Sequence, residues 1–192
     1  MKVNFSNTYW LKTVRRALGA MNQEDLGRET DLRVNTIYRI ESGKSSPRLD
    51  TVQRILDGLE MRLYAKYNGE EFMSVWSRQT EDNRGVLQLN FSNRIWLPAL
   101  RKALGVTQDR LARMSGIAQS SVINTERGVR TMYLSTVQRI FNAADITTHL
   151  QYTGTFFAQE WNDFLASKGL VADERDVPKP TEGKEKKRMF AI

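Results

Sequence analysis

The first half of this chain is written out again in its second half. Residues 4–19 (NFSNTYWLKTVRRALG) return as 90–105 (NFSNRIWLPALRKALG), and residues 51–56 (TVQRIL) return as 136–141 (TVQRIF). Self-similarity at one long period marks two copies of one small fold. The offset is 86 residues up to Gly19 and 85 from Gln23 onward, so the first copy holds one extra residue within Ala20-Met21-Asn22. The register then runs through Leu26/Leu111, Glu41/Glu126, Gly43/Gly128, Phe72/Phe157 and Trp76/Trp161. Each unit is about 80 residues, enough for a modest core, and two units of that size argue against a solenoid. The expected organisation is a first unit over 1–80, a second over 86–169 and a flexible basic tail over 170–192.

Composition narrows the class. There is no cysteine, which removes disulfides and thiolate chemistry. No apolar run approaches the roughly 20 residues that span a bilayer, and the amino terminus does not read as a signal peptide. The expectation is a soluble cytoplasmic, nucleoid-associated protein with no membrane partner. The net charge of +7 suits a polyanionic partner and is spread as +2, +3 and +2 over residues 1–85, 86–167 and 168–192.

Hydrophobic periodicity gives the same plan twice. A short extended stretch (2–5, then 86–91) precedes Ser6/Asn7 and Ser92/Asn93, which suit a helix N-cap. A first helix follows with Trp10, Leu11, Val14 and Leu18 on one face, repeated as Trp96, Leu97, Leu100 and Leu104. Pro98 predicts a later start or a bend in the second copy. Two short helices come next. Gly116 marks the turn between them in copy two, where copy one has Asp31, which accepts left-handed geometry less readily. Gly43 and Gly128 end the third helix. Asp50 and Ser135 are the expected N-caps of a fourth helix that buries Val52, Ile55 and Leu56, or Val137, Ile140 and Phe141. The period then drops to 2, predicting strands over Met61–Tyr67 and Ile146–Tyr152. An amphipathic helix with Phe72, Val75 and Trp76, or Phe157, Trp161, Phe164 and Leu165, closes each unit.

The pattern Gln-x-x-Leu-Gly/Ala followed by Ile/Val-x-x-x-Glu-x-Gly falls on Gln23, Leu26, Gly27, Ile37, Glu41 and Gly43. It recurs on Gln108, Leu111, Ala112, Gly116, Val122, Glu126 and Gly128. It resembles the lambda-repressor-like (XRE, or Cro/C1) helix-turn-helix family over about 55 residues per copy. That resemblance implies double-stranded DNA as the partner, the second helix holding the phosphate backbone by its amino end and the third entering the major groove. The base-contacting candidates are then Arg33, Val34, Asn35, Tyr38 and Arg39 in copy one, and Gln119, Ser120, Ile123 and Asn124 in copy two. Asn and Gln suit adenine, Arg suits guanine, and Ile123 suits a thymine methyl. The phosphate-contacting candidates are Gln23, Thr36, Lys44, Ser45 and Arg48, with Gln108, Ser121, Arg127 and Arg130.

The strand after the fourth helix is similar to that of the HipB-type antitoxins, in which each of two subunits gives one strand to a shared sheet. With both strands on one chain, Met61–Tyr67 is expected to pair with Ile146–Tyr152. The expected fold is therefore mainly α with small β: two helix-turn-helix units, each followed by a strand and a helix, forming a single-chain pseudo-dimer that is monomeric in solution. Two independent domains on a string, joined by the polar segment 77–84, are the alternative. The expected function is a sequence-specific transcriptional regulator, a repressor before an activator. The alternative is an antitoxin or antiactivator that masks a protein partner. RNA polymerase or a toxin-like protein are the further partners these readings allow.

Enzymatic readings find no support in the sequence. His149 is the sole histidine and is expected on the solvated face of its strand. No phosphate-binding glycine loop, carboxylate pair or metal-spaced cluster appears, so no catalytic residue, metal site or cofactor is expected. Glu41 and Glu126 are expected to anchor the end of the third helix, and the tail ending in RMFAI is expected to be inert or to contact DNA, with a docking segment as the alternative.

Overall fold

The computed structural model describes residues 1–5, 9–81 and 85–170. Along the first copy run β1 (Lys2–Val3), α1 (Trp10–Ala17), α2 (Gln23–Thr30), α3 (Val34–Glu41), α4 (Leu49–Gly58), β2 (Met61–Tyr67) and α5 (Met73–Gln79). The second copy repeats them as β3 (Val86–Leu89), α6 (Trp96–Leu104), α7 (Gln108–Ser115), α8 (Gln119–Glu126), α9 (Leu134–Ala143), β4 (Ile146–Tyr152) and α10 (Ala158–Ser167).

The two copies share one antiparallel sheet in the order β1-β4-β2-β3. Its centre is the expected pairing: Met61 lies opposite Tyr152, Tyr64 opposite His149 and Tyr67 opposite Ile146. Each outer strand adds to the other copy. Lys2 and Val3 pair with His149 and Thr148, while Val86–Leu89 pairs with residues 63–66 of β2. The exchange extends to the helices, because α5 packs on α6 and α10 packs on α1. Each copy's first helix is thus covered by the other copy's last. Leu63, Ala65, Leu150 and Tyr152 are buried on the inner sheet face, against α4 and α9. The hydrophobic core runs through both copies without a break. Neither unit completes its core alone, which sets aside the beads-on-a-string alternative.

Pseudosymmetry is close in the core. Phe5 meets Trp10 edge-on at 5.2 Å between ring centres, as Phe91 meets Trp96 at 5.2 Å. It fails at two buried atoms. Gln53 Oε1 accepts from the Phe91 amide at 2.8 Å and Trp76 Nε1 donates to the Gly85 carbonyl at 2.9 Å, whereas Gln138 Oε1 and Trp161 Nε1 have no partner among the described residues.

Several local expectations are corrected. The fourth helices begin two residues earlier than caps at Asp50 and Ser135 would place them, at Leu49 and Leu134, with Arg48 and Tyr133 as caps lacking any side-chain cap bond. The orphan amides find backbone acceptors in the other copy instead: Leu49 N–H donates to the Met132 carbonyl at 3.0 Å and Leu134 N–H to the Pro47 carbonyl at 2.8 Å. These exchanged bonds supply what a side-chain cap normally does. Pro98 neither delays nor shortens its helix; α6 starts at Trp96, and Pro98 sits in the first turn, where its missing N–H costs nothing. Asn93 does not cap α6, whose N-cap is Ile95; its side chain accepts the Ile95 amide at 3.0 Å in the turn before the helix. Ser6 and Asn7 lie outside the described residues, as does the tail beyond Leu170. The extended stretches are shorter than read, stopping at Val3 and Leu89, and the segment 77–84 is helical through Gln79. Among the described residues, no helix is long and apolar enough to cross a membrane.

Candidate nucleic-acid interface

Each helix-turn-helix is held by a buried three-part clamp. In copy one, Arg15 on α1 donates from Nε to Glu41 Oε1 at 2.9 Å and from Nη2 to Oε2 at 3.2 Å. Gln23, opening α2, donates to Glu41 Oε2 at 2.7 Å, and Arg15 also reaches the Met21 carbonyl. Copy two repeats this with Arg101, Glu126, Gln108 and the Val106 carbonyl: 2.9 and 3.3 Å from Arg101 to Glu126, 2.5 Å from Gln108 to Glu126, and 3.1 Å from Arg101 to Val106. Glu41 and Glu126 therefore do more than end the third helix; each ties that helix to the first and second. The two glutamines direct their amides into the clamp. Their side chains are half-buried at the amino ends of α2 and α7, and backbone N–H groups there remain suited to a phosphate. Sequence reasoning missed Arg15 and Arg101. Their identity at matching positions of the repeat, each facing an acid at a matching position, was the available signal.

The extra residue of copy one leaves this geometry intact. It is taken up at Gly19 and Ala20, both left-handed with φ of 75° and 55°. The helix then restarts with a full capping box, Asn22 accepting the Asp25 amide at 2.8 Å and Asp25 accepting the Asn22 amide at 3.3 Å. In copy two Thr107 accepts the Arg110 amide at 3.1 Å in the same role. Asp31 takes the left-handed turn at φ 52°, where Gly116 has φ 60°.

The exposed faces of α3 and α8 follow from which residues the core leaves out. On α3, Ile37 and Ile40 are buried, so Val34, Asn35, Tyr38 and Arg39 are exposed, with Arg33 at the N-cap and Thr36 half-buried. On α8, Val122 and Thr125 are buried, Gln119 and Ser120 are exposed, and Ser121, Ile123 and Asn124 are half-buried. Arg33, Val34, Asn35, Gln119 and Ser120 thus lie at the amino ends of α3 and α8, and Tyr38, Arg39, Ile123 and Asn124 one turn further along. Lys44 follows α3 and lies over the Tyr38 ring at 4.9 Å, donating to its hydroxyl at 3.2 Å. Arg127 and Arg130 are exposed just past α8, while Ser45 is half-buried. The fold adds Arg94, whose side chain lies beside Gly128 at the end of α8. Its counterpart is Thr8, so it is one of the cations by which the copies differ.

Between the two helix-turn-helix units, Arg48 and Tyr133 form a two-residue antiparallel bridge at equivalent positions of the repeat. The Arg48 guanidinium lies 5.2 Å from the centre of the Tyr133 ring and donates to Thr131 Oγ1 at 3.3 Å, and the Ser135 amide donates to Ser46 Oγ at 3.0 Å. With the shared sheet on one side and this bridge on the other, α3 and α8 are held in one frame. Among the described residues no group of His, Asp and Glu is placed to hold a metal ion. His149 is half-buried, which corrects the expectation of a solvated ring. Burial, then the Met1 amino group, Lys66 and Lys2, lower its pKa below the usual 6.5.

No curated protein and no solved structure matches the chain at a significant level. A family model described as helix-turn-helix matches it twice, at residues 11–64 and 99–149, which together cover more than half the chain. Those spans contain both clamps and both reading helices, and they make this chain a tandem-duplicated member of the lambda-repressor-like (XRE) helix-turn-helix family of DNA-binding regulators.

Proposed function

We propose that the chain is a sequence-specific transcriptional regulator that reads an asymmetric operator of two half-sites, one with each copy. The observation that carries this is the pairing of two unlike reading faces in one frame. Homodimers carry identical recognition helices and read palindromes. Here Arg33, Val34, Asn35, Tyr38 and Arg39 face one half-site, and Gln119, Ser120, Ile123 and Asn124 face the other. Arg39 would pair with a guanine in the first half; Gln119 and Asn124 favour adenine in the second. Lys44, Arg48, Arg127 and Arg130, with the amino ends of α2 and α7, would take phosphates and fix the register. Thr36, Ser45 and Ser121 would support them by hydroxyl contacts. Each copy of about 80 residues then serves as one reading head. Repression by occupying the operator is the simplest mode, because it needs no second contact.

Selection of bound sites from a random duplex library tests this. Arg39→Ala should relax preference in one half-site only, at a cost of roughly 1–3 kcal/mol, and Asn124→Ala in the other. A symmetric consensus whose halves respond alike to Arg39→Ala overturns the proposal.

A second reading is favoured by the shared sheet, whose central strands resemble those of HipB-type antitoxins. On that reading the chain masks a toxin-like protein and DNA binding is secondary. Isolation of a stoichiometric complex with the product of a neighbouring gene would support it.

A further inference from the structure

The four strands of the shared sheet contain no aspartate or glutamate. Their outward positions carry Lys2 on β1, Arg62, Tyr64 and Lys66 on β2, Val86 and Gln88 on β3, and Thr147, His149 and Gln151 on β4. The register sets them in rows: Lys2, His149, Tyr64 and Gln88 run across all four strands, with Arg62 beside Gln151 and Lys66 beside Thr147. Arg62 and Lys66 stand about 13 Å apart along one strand, and the face is about 15 Å wide. Lys2, Arg62 and Lys66 are exposed, and none belongs to an ion pair among the described residues. The acids nearest in the chain, Glu60 and Asp145, precede β2 and β4 at opposite ends of the face. The depressed His149 pKa reports the same positive field, after burial, from Lys66 and Lys2. Behind the sheet lie α4 and α9, and behind those α2 and α7 with the reading helices. The basic face is therefore turned away from the side that carries α3 and α8.

We propose that this outer sheet face is a docking surface for an acidic polypeptide segment of another protein. The three cations do not lie in one line, since Lys2 is on an edge strand and Arg62 and Lys66 are on an inner one. On the reading proposed above duplex DNA is taken by α3 and α8 on the opposite side of the molecule, which leaves this face to a different polyanion. An acidic polypeptide lies across all four strands, brings a carboxylate to each cation, and finds hydrogen-bonding groups in Gln88, Thr147 and Gln151. Single-stranded nucleic acid would instead stack bases on Tyr64 and His149. Both rings are half-buried, which leaves little open ring for a base.

The test titrates the full chain, first saturated with duplex DNA, into a fluorescent decapeptide of glutamates and, separately, into a thymidine decamer, following anisotropy. The peptide should bind the duplex-loaded protein, and more tightly than the decamer. Arg62→Ser with Lys66→Ser should weaken peptide binding by about tenfold, the loss expected for two surface charge pairs. Melting temperature and duplex affinity should stay unchanged. Displacement of the peptide by duplex, an unaltered peptide affinity in the double variant, or tighter binding of the decamer overturns the proposal. The duplex titration alone reports DNA binding. If duplex does not bind, the same peptide titration on the free chain and its double variant decides the sheet face separately.

Discussion

Removing Arg15 should be among the most damaging single changes in copy one. Its side chain is 13% exposed and that of Glu41 is 6% exposed, so the pair sits largely out of water. Arg15→Met deletes both guanidinium bonds to Glu41 and the bond to the Met21 carbonyl, leaving the carboxylate only the Gln23 amide. An uncompensated buried charge costs about 3–5 kcal/mol, against a total stability of about 5–15 kcal/mol for a typical domain. Replacing both partners, Arg15→Met with Glu41→Leu, removes the charge with its counter-ion and should cost far less, giving a coupling of several kcal/mol in the cycle. Arg101→Met should cost less than Arg15→Met, because Arg101 is 25% exposed and its partner remains better screened. Urea unfolding of the single and double variants measures these terms. Both copies share one core, so each variant should unfold in one transition. The double variant also separates stability from positioning: it should fold yet bind duplex more weakly, because Gln23 and α2 lose the group that orients them. A cost for Arg15→Met under about 1 kcal/mol, the worth of a surface pair, would mean that Glu41 is not held as a buried charge.

Other outcomes follow from the same structure. Asp31→Gly relieves a left-handed non-glycine and should stabilise the chain by about 0.5–1 kcal/mol in urea unfolding. Leu63→Ala or Leu150→Ala, both fully buried in the central strand pair, should cost about 2–5 kcal/mol and lower a single melting transition for the whole chain. His149 holds its proton less well folded than unfolded, so the unfolded chain binds more protons just below the ordinary pKa. The His149 contribution to stability should be constant above about pH 6.5 and be lost progressively as pH drops below it, so melting temperature against pH should fall less steeply in His149→Gln. Duplex affinity should fall steeply with salt, and Arg127→Ala or Arg130→Ala should weaken all sequences alike while flattening the salt slope.

Much of this was legible because the repeat read each element twice. Alternation marked Met61–Tyr67 and Ile146–Tyr152 as strands and the resemblance to HipB-type antitoxins implied that they pair, while the exposed faces of α3 and α8 followed from where Ile37 and Val122 had to be buried. What escaped was what one copy does for the other. Asp50 and Ser135 looked like caps because a side-chain acceptor is the usual partner for a helix's orphan amides. The amides of Leu49 and Leu134 instead find carbonyls more than 80 residues away, which no local pattern encodes. The exchange of α5 and α10 was hidden for the same reason, since an amphipathic stripe says that a face is buried but not by which copy. His149 was misread because alternation places a residue outward without registering that its flanks are covered. The clamp arginines sit on helix positions that read as solvated, and only their coincidence in both copies distinguishes them.

On the proposed function, one chain does the work of a symmetric dimer. Native mass spectrometry of the protein on a duplex from the selected pool, with a hydroxyl-radical footprint of the same complex, counts the chains and the half-sites together. One chain should bind per duplex and protect two unequal half-sites about one helical turn, or 10–10.5 base pairs, apart. Two chains on a palindrome, or one chain protecting a single half-site, would contradict it.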